Sequence, residues 1–200
     1  MFTFKRLTAA AIGQQIAAAA RLAPSSPSLL TVNDRLDGVR RLPLGFAHDF
    51  KRSSIGQGEK ALAAARLAFQ RWAMFDLGWV RVANPQAPIV EGQIVAVEAR
   101  TLGLWSLNLS RITEVVDGQN RFGFVYATTK MHVEQGEERF LIELNAATRE
   151  VFYELEAVSR PRNFLAFVGL PVTRSFQHRF ARDSHGRMAE DVVASEWQLS

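Results

Sequence analysis

A group of polar side chains with the residue types of an acid–base site surrounds one predicted turn between two strands. Its members are Tyr126, Thr128, His132, Glu137, Glu138 and Arg139. An imidazole titrates near neutral pH and a neighbouring carboxylate fixes its tautomer, so His132 with Glu137 or Glu138 could act as a general base. Arg139 could bind an anionic group of the substrate. The pattern would suit an enzyme, such as a hydrolase or isomerase acting on a polar metabolite.

The charged members of this group also have a structural interpretation. Adjacent strand residues point to opposite faces, so Glu137 and Glu138 need not share a site, and Arg139 could pair with one of them across the hairpin. His132 could cap a turn. One histidine with one or two carboxylates, at no recognised spacing, also provides too few ligands for zinc or iron. We therefore predict no metal and no cofactor, and we favour a binding protein over an enzyme.

A second candidate site consists mainly of aromatic residues that recur at strand spacing. Alternate residues of a strand share a face, so these side chains could line a cavity for a hydrophobic molecule, with Tyr126 or Arg111 holding its polar end. The predicted binding residues are Trp105, Arg111, Phe122, Phe124, Tyr126, Thr128, Phe140 and Tyr153. The alternative is that the same aromatic rings fill a solid core.

A basic stripe near the C-terminus is the third candidate site. Arg174, His178 and Arg182 recur at every fourth position of a predicted helix, where they could contact anionic lipid. This pattern raises the hypothesis of a protein that associates with a membrane surface. The carboxylate of Asp183 interrupts the stripe, however, and a solvated helix face also explains it. The other basic residues are scattered, so we predict no specific nucleic-acid partner.

Composition limits the classes of protein to which the chain can belong. The chain has 200 residues, 48% of them hydrophobic, which is typical of one globular domain. It has no cysteine, which excludes disulfides and thiolate chemistry and fits a cytoplasmic location. No stretch approaches the roughly 18 uninterrupted apolar residues of a membrane span, so we predict none.

The elements that must position these residues follow from hydrophobic periodicity. Helical spacing predicts helices over residues 3–23 and 59–75, the second stopped by Gly78. One or two strands are expected between residues 28 and 54, on either side of Pro43. A period of two predicts strands over residues 94–100, 105–116, 121–129, 137–144 and 150–159.

A terminal helix should begin at Pro161, and Pro171 is expected to break or kink it because proline lacks a backbone N–H. Its apolar stripe comprises Phe164, Val168, Val172, Phe176 and Phe180. The short links between the five strands force neighbours to run antiparallel, and one face of the resulting sheet is strongly apolar. The terminal helix is the element available to cover that face. The sequence thus predicts an α+β fold in a single domain over residues 1–200, with an N-terminal helix and linker over 1–27.

Three motifs resemble those of a known family. They are Gly45-Phe-Ala-His-Asp-Phe50 leading to Ile55-Gly-Gln-Gly58, the run from Phe124 to His132 followed by Gly136-Glu-Glu-Arg-Phe140, and Ser159-Arg-Pro161. Together they resemble the DUF1990-type family, an uncharacterised family of bacteria and plants, over residues 28–192. The chain departs from the usual pattern at Thr129-Lys130, where a Leu-Pro-Gly-like turn is common.

The resemblance implies a START-like, or Bet v 1-like, helix-grip fold over residues 28–194. In that fold a curved antiparallel sheet wraps around a long C-terminal helix and often encloses a cavity for an apolar ligand. The resemblance brings no established reaction. It adds to the membrane-surface hypothesis, since plant relatives are associated with the chloroplast envelope. Our leading hypothesis is a protein that binds a small hydrophobic or amphipathic molecule between the sheet and the C-terminal helix.

Overall fold

The computed structural model describes residues 2–25, 28–33, 42–132, 134–161 and 170–198. Its strands are β1 (Phe2–Thr3), β2 (Ala47–Gln57), β3 (Val80–Val82), β4 (Ile94–Thr101), β5 (Leu104–Asp117), β6 (Arg121–Thr128), β7 (Glu134–Leu144) and β8 (Glu150–Pro161). Its helices are α1 (Ala9–Ala19), α2 (Gly58–Gln70), a short 3-10 helix (Ala73–Phe75) and α3 (Leu170–Gln198).

The described strands form one antiparallel sheet. Seven of them follow the order β2-β8-β7-β6-β5-β4-β3, and β1 pairs with the beginning of β5. The meander from β4 to β8 that the sequence predicts is confirmed, with each strand close to its expected bounds. On one face of this sheet, α2 and α3 pack over a core of aromatic and aliphatic side chains. The predicted α+β helix-grip fold, a curled antiparallel sheet around a long C-terminal helix, is therefore confirmed.

The helix α2 ends earlier than its periodicity predicts. Its buried residues Leu62, Ala65 and Phe69 recur at helical spacing and face the sheet. The α-helix nevertheless stops at Gln70, because Trp72 adopts a left-handed backbone with a φ of 61°. A residue in that conformation cannot continue a right-handed helix. The predicted helix to residue 75 is instead an α-helix followed by a 3-10 turn.

Both chain ends differ from the sequence-based predictions. The N-terminal helix is shorter than residues 3–23, because the hydroxyl of Thr8 accepts a hydrogen bond from the N–H of Ala11 and starts α1 there, after β1. Pro161 ends β8, where it pairs with Glu134 of β7, and does not start the terminal helix. Pro171 is the second residue of α3, a position where a helix needs no backbone N–H. The residues before it, on which the predicted break or kink depends, lie outside the described part of the chain. Phe164 and Val168 lie outside the described residues.

The opposite face of the sheet is also covered. Ile12 of α1 packs with Leu107 and Leu109 of β5. Leu30 and Val32, from the segment before β2, form another cluster with residues of β6 and β8. The strands are thus covered on both sides over part of their length, so alternate residues there face two distinct interiors.

Candidate functional site

A cavity of about 480 Å³ lies between the sheet and the first half of α3. Its floor comes from residues of β2 and of β4 to β8, and its roof comes from one face of α3. The residues lining it are Asp49, Phe50, Lys51, Phe75, Trp79, Val80, Val97, Ala99, Thr101, Ser106, Asn108, Tyr126, His132, Glu134, Glu138, Leu155, Ala157, Phe176, Gln177, His178, Phe180 and Ala181.

The apolar part of the cavity is built from aromatic rings of three segments. The ring of Trp79, before β3, lies 5.8 Å from that of Phe176 on α3. Phe75 of the 3-10 helix lies 5.3 Å from Phe180, one turn farther along α3. The indole N–H of Trp79 donates to Asp183 of α3 at 3.0 Å. These contacts hold the helix above the sheet and give the cavity an aromatic wall.

The polar part of the cavity centres on Glu138 of β7. Tyr126 lies directly opposite it on β6, and its hydroxyl donates a 2.9 Å hydrogen bond to Oε2 of Glu138. Burial raises the pKa of Glu138 to about 7, even though the hydrogen bond from Tyr126 lowers it. The pKa of Tyr126 is raised too, first by burial and then by the charge of Glu138. A carboxyl group that titrates near neutral pH therefore faces the cavity.

A second carboxyl group, that of Glu134, lies on the same face of β7 four residues earlier. The amide nitrogen of Gln177 on α3 donates to both of its oxygens, at 3.0 and 3.1 Å. Burial raises the pKa of Glu134, against the opposing effects of Gln177 and of the charge on Arg174. Arg174 itself forms an ion pair with Asp49 of β2, in which its Nη2 donates to Oδ1 of Asp49 at 2.8 Å. These contacts attach the start of α3 to the sheet edge around the cavity.

The structure divides the predicted acid–base group between the two faces of the sheet. His132 and Glu138 line the cavity, and Nδ1 of His132 accepts a hydrogen bond from the N–H of Glu134. Glu137 lies on the opposite face, where its Oε2 accepts the N–H groups of Leu29 and Leu30, both at 2.8 Å. Alternation along β7 is the physical reason for this separation.

Arg139 is also directed away from the cavity. It is buried and forms ion pairs with Glu154 at 3.1 Å and Glu156 at 2.7 Å, both on β8. Its partners are therefore on the next strand, and neither Glu137 nor Glu138 pairs with it. The side chains of His132, Glu137, Glu138 and Arg139 therefore do not meet at one site. The ion pairs of Arg139 join β7 to β8.

Of the eight predicted binding residues, the structure places Tyr126 on the cavity wall. Phe122, Phe124, Phe140 and Tyr153 belong instead to the packed core beneath α2, because Phe69 and Trp72 of that region fill the space over this part of the sheet. The rings of Phe69 and Tyr153 are 5.8 Å apart, and those of Phe124 and Phe140 are 5.1 Å apart. These rings fill the space beneath α2, so the cavity lies at the other end of the strands, beneath α3.

The remaining three predicted residues make structural contacts. The ring of Trp105 lies under the guanidinium groups of Arg6 and Arg100, at 5.6 and 5.8 Å. Arg111 donates to the carbonyls that follow α1, including that of Ala20 at 2.8 Å. The hydroxyl of Thr128 accepts the N–H of Gly136 at 2.9 Å, which joins β6 to β7. The structure does not place these three side chains on the cavity wall.

Several cavity residues escaped the sequence analysis. Glu134, Asp49 and Lys51 bring ionisable groups to the cavity, and Trp79 and Gln177 close it beside Phe176, which the predicted helix stripe already contained. One signal for Glu134 was present, since residues 134 and 138 are four apart on one strand and must share a face. Gln177 and Trp79 carry no such signal, because their proximity to the sheet is entirely long-range.

The other sequence-based candidates can also be placed. Arg182 of the basic stripe and its neighbour Arg179 pair with Asp183, and Arg174 pairs with Asp49. In the part of the chain that is described, no helix is long and apolar enough to cross a membrane. The same residues contain no group of three or more potential ligands placed to hold a metal ion.

Comparison with protein families gives a match to the model for a domain of unknown function, DUF1990, over residues 32–187. Among individual proteins, the chain is 35% identical to a UPF0548 protein of Dictyostelium discoideum over 162 residues, covering 76% of this chain and 75% of the relative. It is 32% identical to a UPF0548 protein of Deinococcus radiodurans over 180 residues, covering 84% and 89%.

Comparison with solved structures gives similar folds at low sequence identity. A protein of Thermus thermophilus matches with a TM-score of 0.50 and 10% identity, over 75% of this chain and 98% of that one. The ZhuI aromatase/cyclase from a Streptomyces species matches with a TM-score of 0.50 and 11% identity, over 78% and 96%. At these identities the likeness establishes the helix-grip fold alone.

Proposed function

The chain belongs to the DUF1990 (UPF0548) family, and from that premise we propose that it binds a small amphipathic molecule in the cavity between the sheet and α3. The observation that carries the proposal is the cavity itself. Its volume of about 480 Å³ lies within the range of roughly 300–1,000 Å³ of small-molecule sites. The Bet v 1-like fold also commonly binds hydrophobic ligands, which supports the same conclusion.

The distribution of side chains in the cavity supports an amphipathic ligand. Apolar rings of Trp79, Phe176 and Phe180 occupy one part of the wall, whereas Glu134 and Glu138 occupy another. A cavity of this kind gains binding free energy from burying the apolar body of a ligand and orients it through a few polar contacts. A mere packing defect in a core would be lined by apolar side chains, because burying an ionised carboxyl group without a charged partner costs free energy. The carboxyl groups of Glu134 and Glu138 on the wall therefore favour a binding site.

Native mass spectrometry of gently purified protein, beside a denatured sample and an organic extract, tests the proposal. We expect a retained molecule of a few hundred daltons, as the cavity would accommodate. The Ala181→Trp variant, which places a large ring in the cavity from α3, should lose that mass. Ala194→Trp is the matched control, because Ala194 is exposed on the same helix.

Two outcomes would contradict this function. One is folded wild-type protein that retains no molecule and binds none of a panel of hydrophobic probes. The other is equal retention by the Ala181→Trp and Ala194→Trp variants, which would put the ligand outside the cavity.

An enzyme is the second candidate function, and one observation favours it. Glu138, with a pKa of about 7, and Tyr126 form a hydrogen-bonded pair inside the cavity, as an acid–base catalyst requires. His132 lines the same cavity. Under this alternative the retained molecule is converted on incubation with the protein, so its mass would change in a hydrolysis and its NMR spectrum would change in an isomerisation.

A further inference from the structure

We infer that the molecule bound in this cavity carries a cationic amine that contacts Glu138, and an apolar body that lies against Trp79, Phe176 and Phe180. This inference rests on the proposed function, because it assigns a chemical class to the ligand of the same cavity. It follows from the charges that surround Glu138 and from those that surround the other buried carboxylates.

Glu138 lacks a positive partner among the described residues. Its one hydrogen bond comes from the neutral hydroxyl of Tyr126, and no ion pair reaches it. The charges that act on it are those of Glu134 and Asp49, which are both negative. An ionised carboxylate in a buried position needs an opposite charge to offset the loss of hydration. The open position next to Glu138 is the cavity, so a cation bound there would stabilise the ionised carboxylate, which burial alone disfavours.

The deeply buried carboxylates of the described chain have partners of their own, whereas Glu138 is half-buried on the cavity wall. Arginine side chains pair with Glu98, Glu154, Glu156 and Asp191, whereas Glu137 accepts two backbone N–H groups. Within the described residues, each of these five carboxylates therefore has either a cationic side chain or backbone donors beside it. Glu138 differs from these carboxylates, because its hydrogen-bond partner is the neutral hydroxyl of Tyr126 and its carboxyl group faces the cavity.

Glu134 adds to the negative character of the same wall. It shares a face of β7 with Glu138, and the group that donates to its oxygens is the neutral amide of Gln177. The positive charge of Arg174 lowers the pKa of Glu134, but the ion pair of Arg174 is formed with Asp49. Glu134 therefore adds a second carboxyl group to this wall.

The aromatic wall suits the same ligand class. Trp79 and Phe176 offer ring surfaces 5.8 Å apart between centroids. Aromatic faces attract cations and also pack against apolar groups. An amine attached to an aromatic or aliphatic body would therefore be complementary to both parts of the cavity.

Lys51 is the one lysine among the described residues of the cavity wall, and it would favour an anionic ligand instead. No ion pair joins Lys51 to Glu138 in the described part of the chain. Since two carboxyl groups without a basic ion-pair partner face the cavity against this single lysine, a cation is the better match. The experiment includes an anionic probe so that this opposite preference is measured directly.

Three probes with the same aromatic body test the inference: naphthylethylamine, naphthylethanol and naphthylacetate. Their affinities for the full chain are measured by calorimetry at about pH 8, where the amine is protonated and a carboxyl with a pKa near 7 is ionised. We expect the amine to bind about tenfold more tightly than the alcohol, because a charge-assisted hydrogen bond is stronger than a neutral one. The acetate should bind most weakly.

The Glu138→Gln variant should abolish the preference for the amine while retaining affinity for naphthylethanol. Glu143→Gln is the matched control, because Glu143 lies on the same strand and faces away from the cavity. Equal or tighter binding of the alcohol or the acetate by wild-type protein would overturn the amine inference and leave the proposed cavity function intact. If no probe binds and native mass spectrometry finds no retained molecule, the proposed function fails together with the inference. An amine preference that survives Glu138→Gln would overturn the role of Glu138.

Discussion

Glu138, which is half-buried on the cavity wall, and His185, which is buried, have pKa values displaced in opposite directions. Burial raises the pKa of Glu138 to about 7 and lowers that of His185, on α3, to about 4, where the charge of Lys51 adds to the effect. Nδ1 of His185 is hydrogen-bonded to the hydroxyl of Ser53, while its Nε2 has no hydrogen-bond partner among the described residues. The fold therefore favours protonated Glu138 and neutral His185.

These shifts give opposite contributions to the pH dependence of stability. The folded pKa of Glu138 exceeds its unfolded value of 4.5, so its contribution is fully present below pH 4.5 and is lost as the pH rises through 7. The folded pKa of His185 lies below its unfolded value of 6.5, so its contribution is present above pH 6.5 and is lost as the pH falls through 4. Acid should therefore weaken the attachment of α3 at His185.

We predict that replacing His185 with asparagine reduces the loss of stability on acidification. Between pH 6.5 and 4 the wild-type protein should lose about 1–3 kcal/mol of unfolding free energy through this residue, and His185→Asn should not. Urea unfolding at a series of pH values measures both profiles. His178→Asn, at an exposed histidine of the same helix, is the control. Parallel profiles for wild type and His185→Asn would show that His185 does not titrate in this window.

Among the elements, β2, α2 and α3 meet most closely at Gly56. A Cβ atom there would lie 2.6 Å from Cβ of Ala61 on α2 and 2.9 Å from Cγ1 of Val192 on α3. The pairing of β2 with β8 also changes register here, between Ser54 and Gly56. The absence of a side chain at this position therefore permits both helices to approach the bulged strand.

We predict that Gly56→Ala destabilises the protein by about 1–3 kcal/mol, because overpacking forces α2 or α3 to move away from β2. Denaturant unfolding provides the measurement. Gly13→Ala is the matched control: Gly13 lies within α1, and a Cβ there meets nothing within 4 Å. That change should raise stability by up to about 1 kcal/mol, because alanine favours the helix. If Gly56→Ala raised the free energy of unfolding as much as Gly13→Ala does, the close packing at Gly56 would be contradicted.

For the whole molecule, the core and the cavity occupy different ends of the space between the sheet and its helices. The half beneath α2 is filled by aromatic rings such as Phe69 and Phe124, whereas the half beneath the beginning of α3 contains the cavity. A ligand there would contact both the sheet and α3. Because the two are joined only in the folded state, ligand binding should stabilise the entire fold.

We predict that naphthylethylamine at about a hundredfold excess over its dissociation constant raises the unfolding free energy by about 2.7 kcal/mol. For a chain of this length, that corresponds to an increase in Tm of about 5–10 °C. Thermal unfolding followed by circular dichroism measures the shift. Ala181→Trp should not show it, and Ala194→Trp should. Identical shifts in both variants would indicate that the probe binds elsewhere.

Periodicity and turn chemistry determined most of the elements before any tertiary information was available. The alternation of Phe122, Phe124 and Tyr126, and of the facing residues on β7 and β8, defines strands with one apolar face. The short link at Asp117-Gly118 makes neighbouring strands antiparallel. These are local constraints, set by side-chain direction and turn length, so they can be derived from adjacent residues. The family resemblance supplied the helix-grip arrangement of those elements.

The location of the site was decided only by the tertiary structure. Alternation assigns Phe122, Phe124 and Tyr126 to one face, but it cannot tell which part of that face a helix will fill. Phe69 and Trp72, from a separate segment of the chain, occupy one half and leave Tyr126 beside the cavity. Glu138 acquires its environment in a similar way, because Tyr126 and Asp49, which both affect its pKa, come from other strands. Long-range packing and burial, which no local pattern encodes, therefore distinguish core residues from cavity residues in this protein.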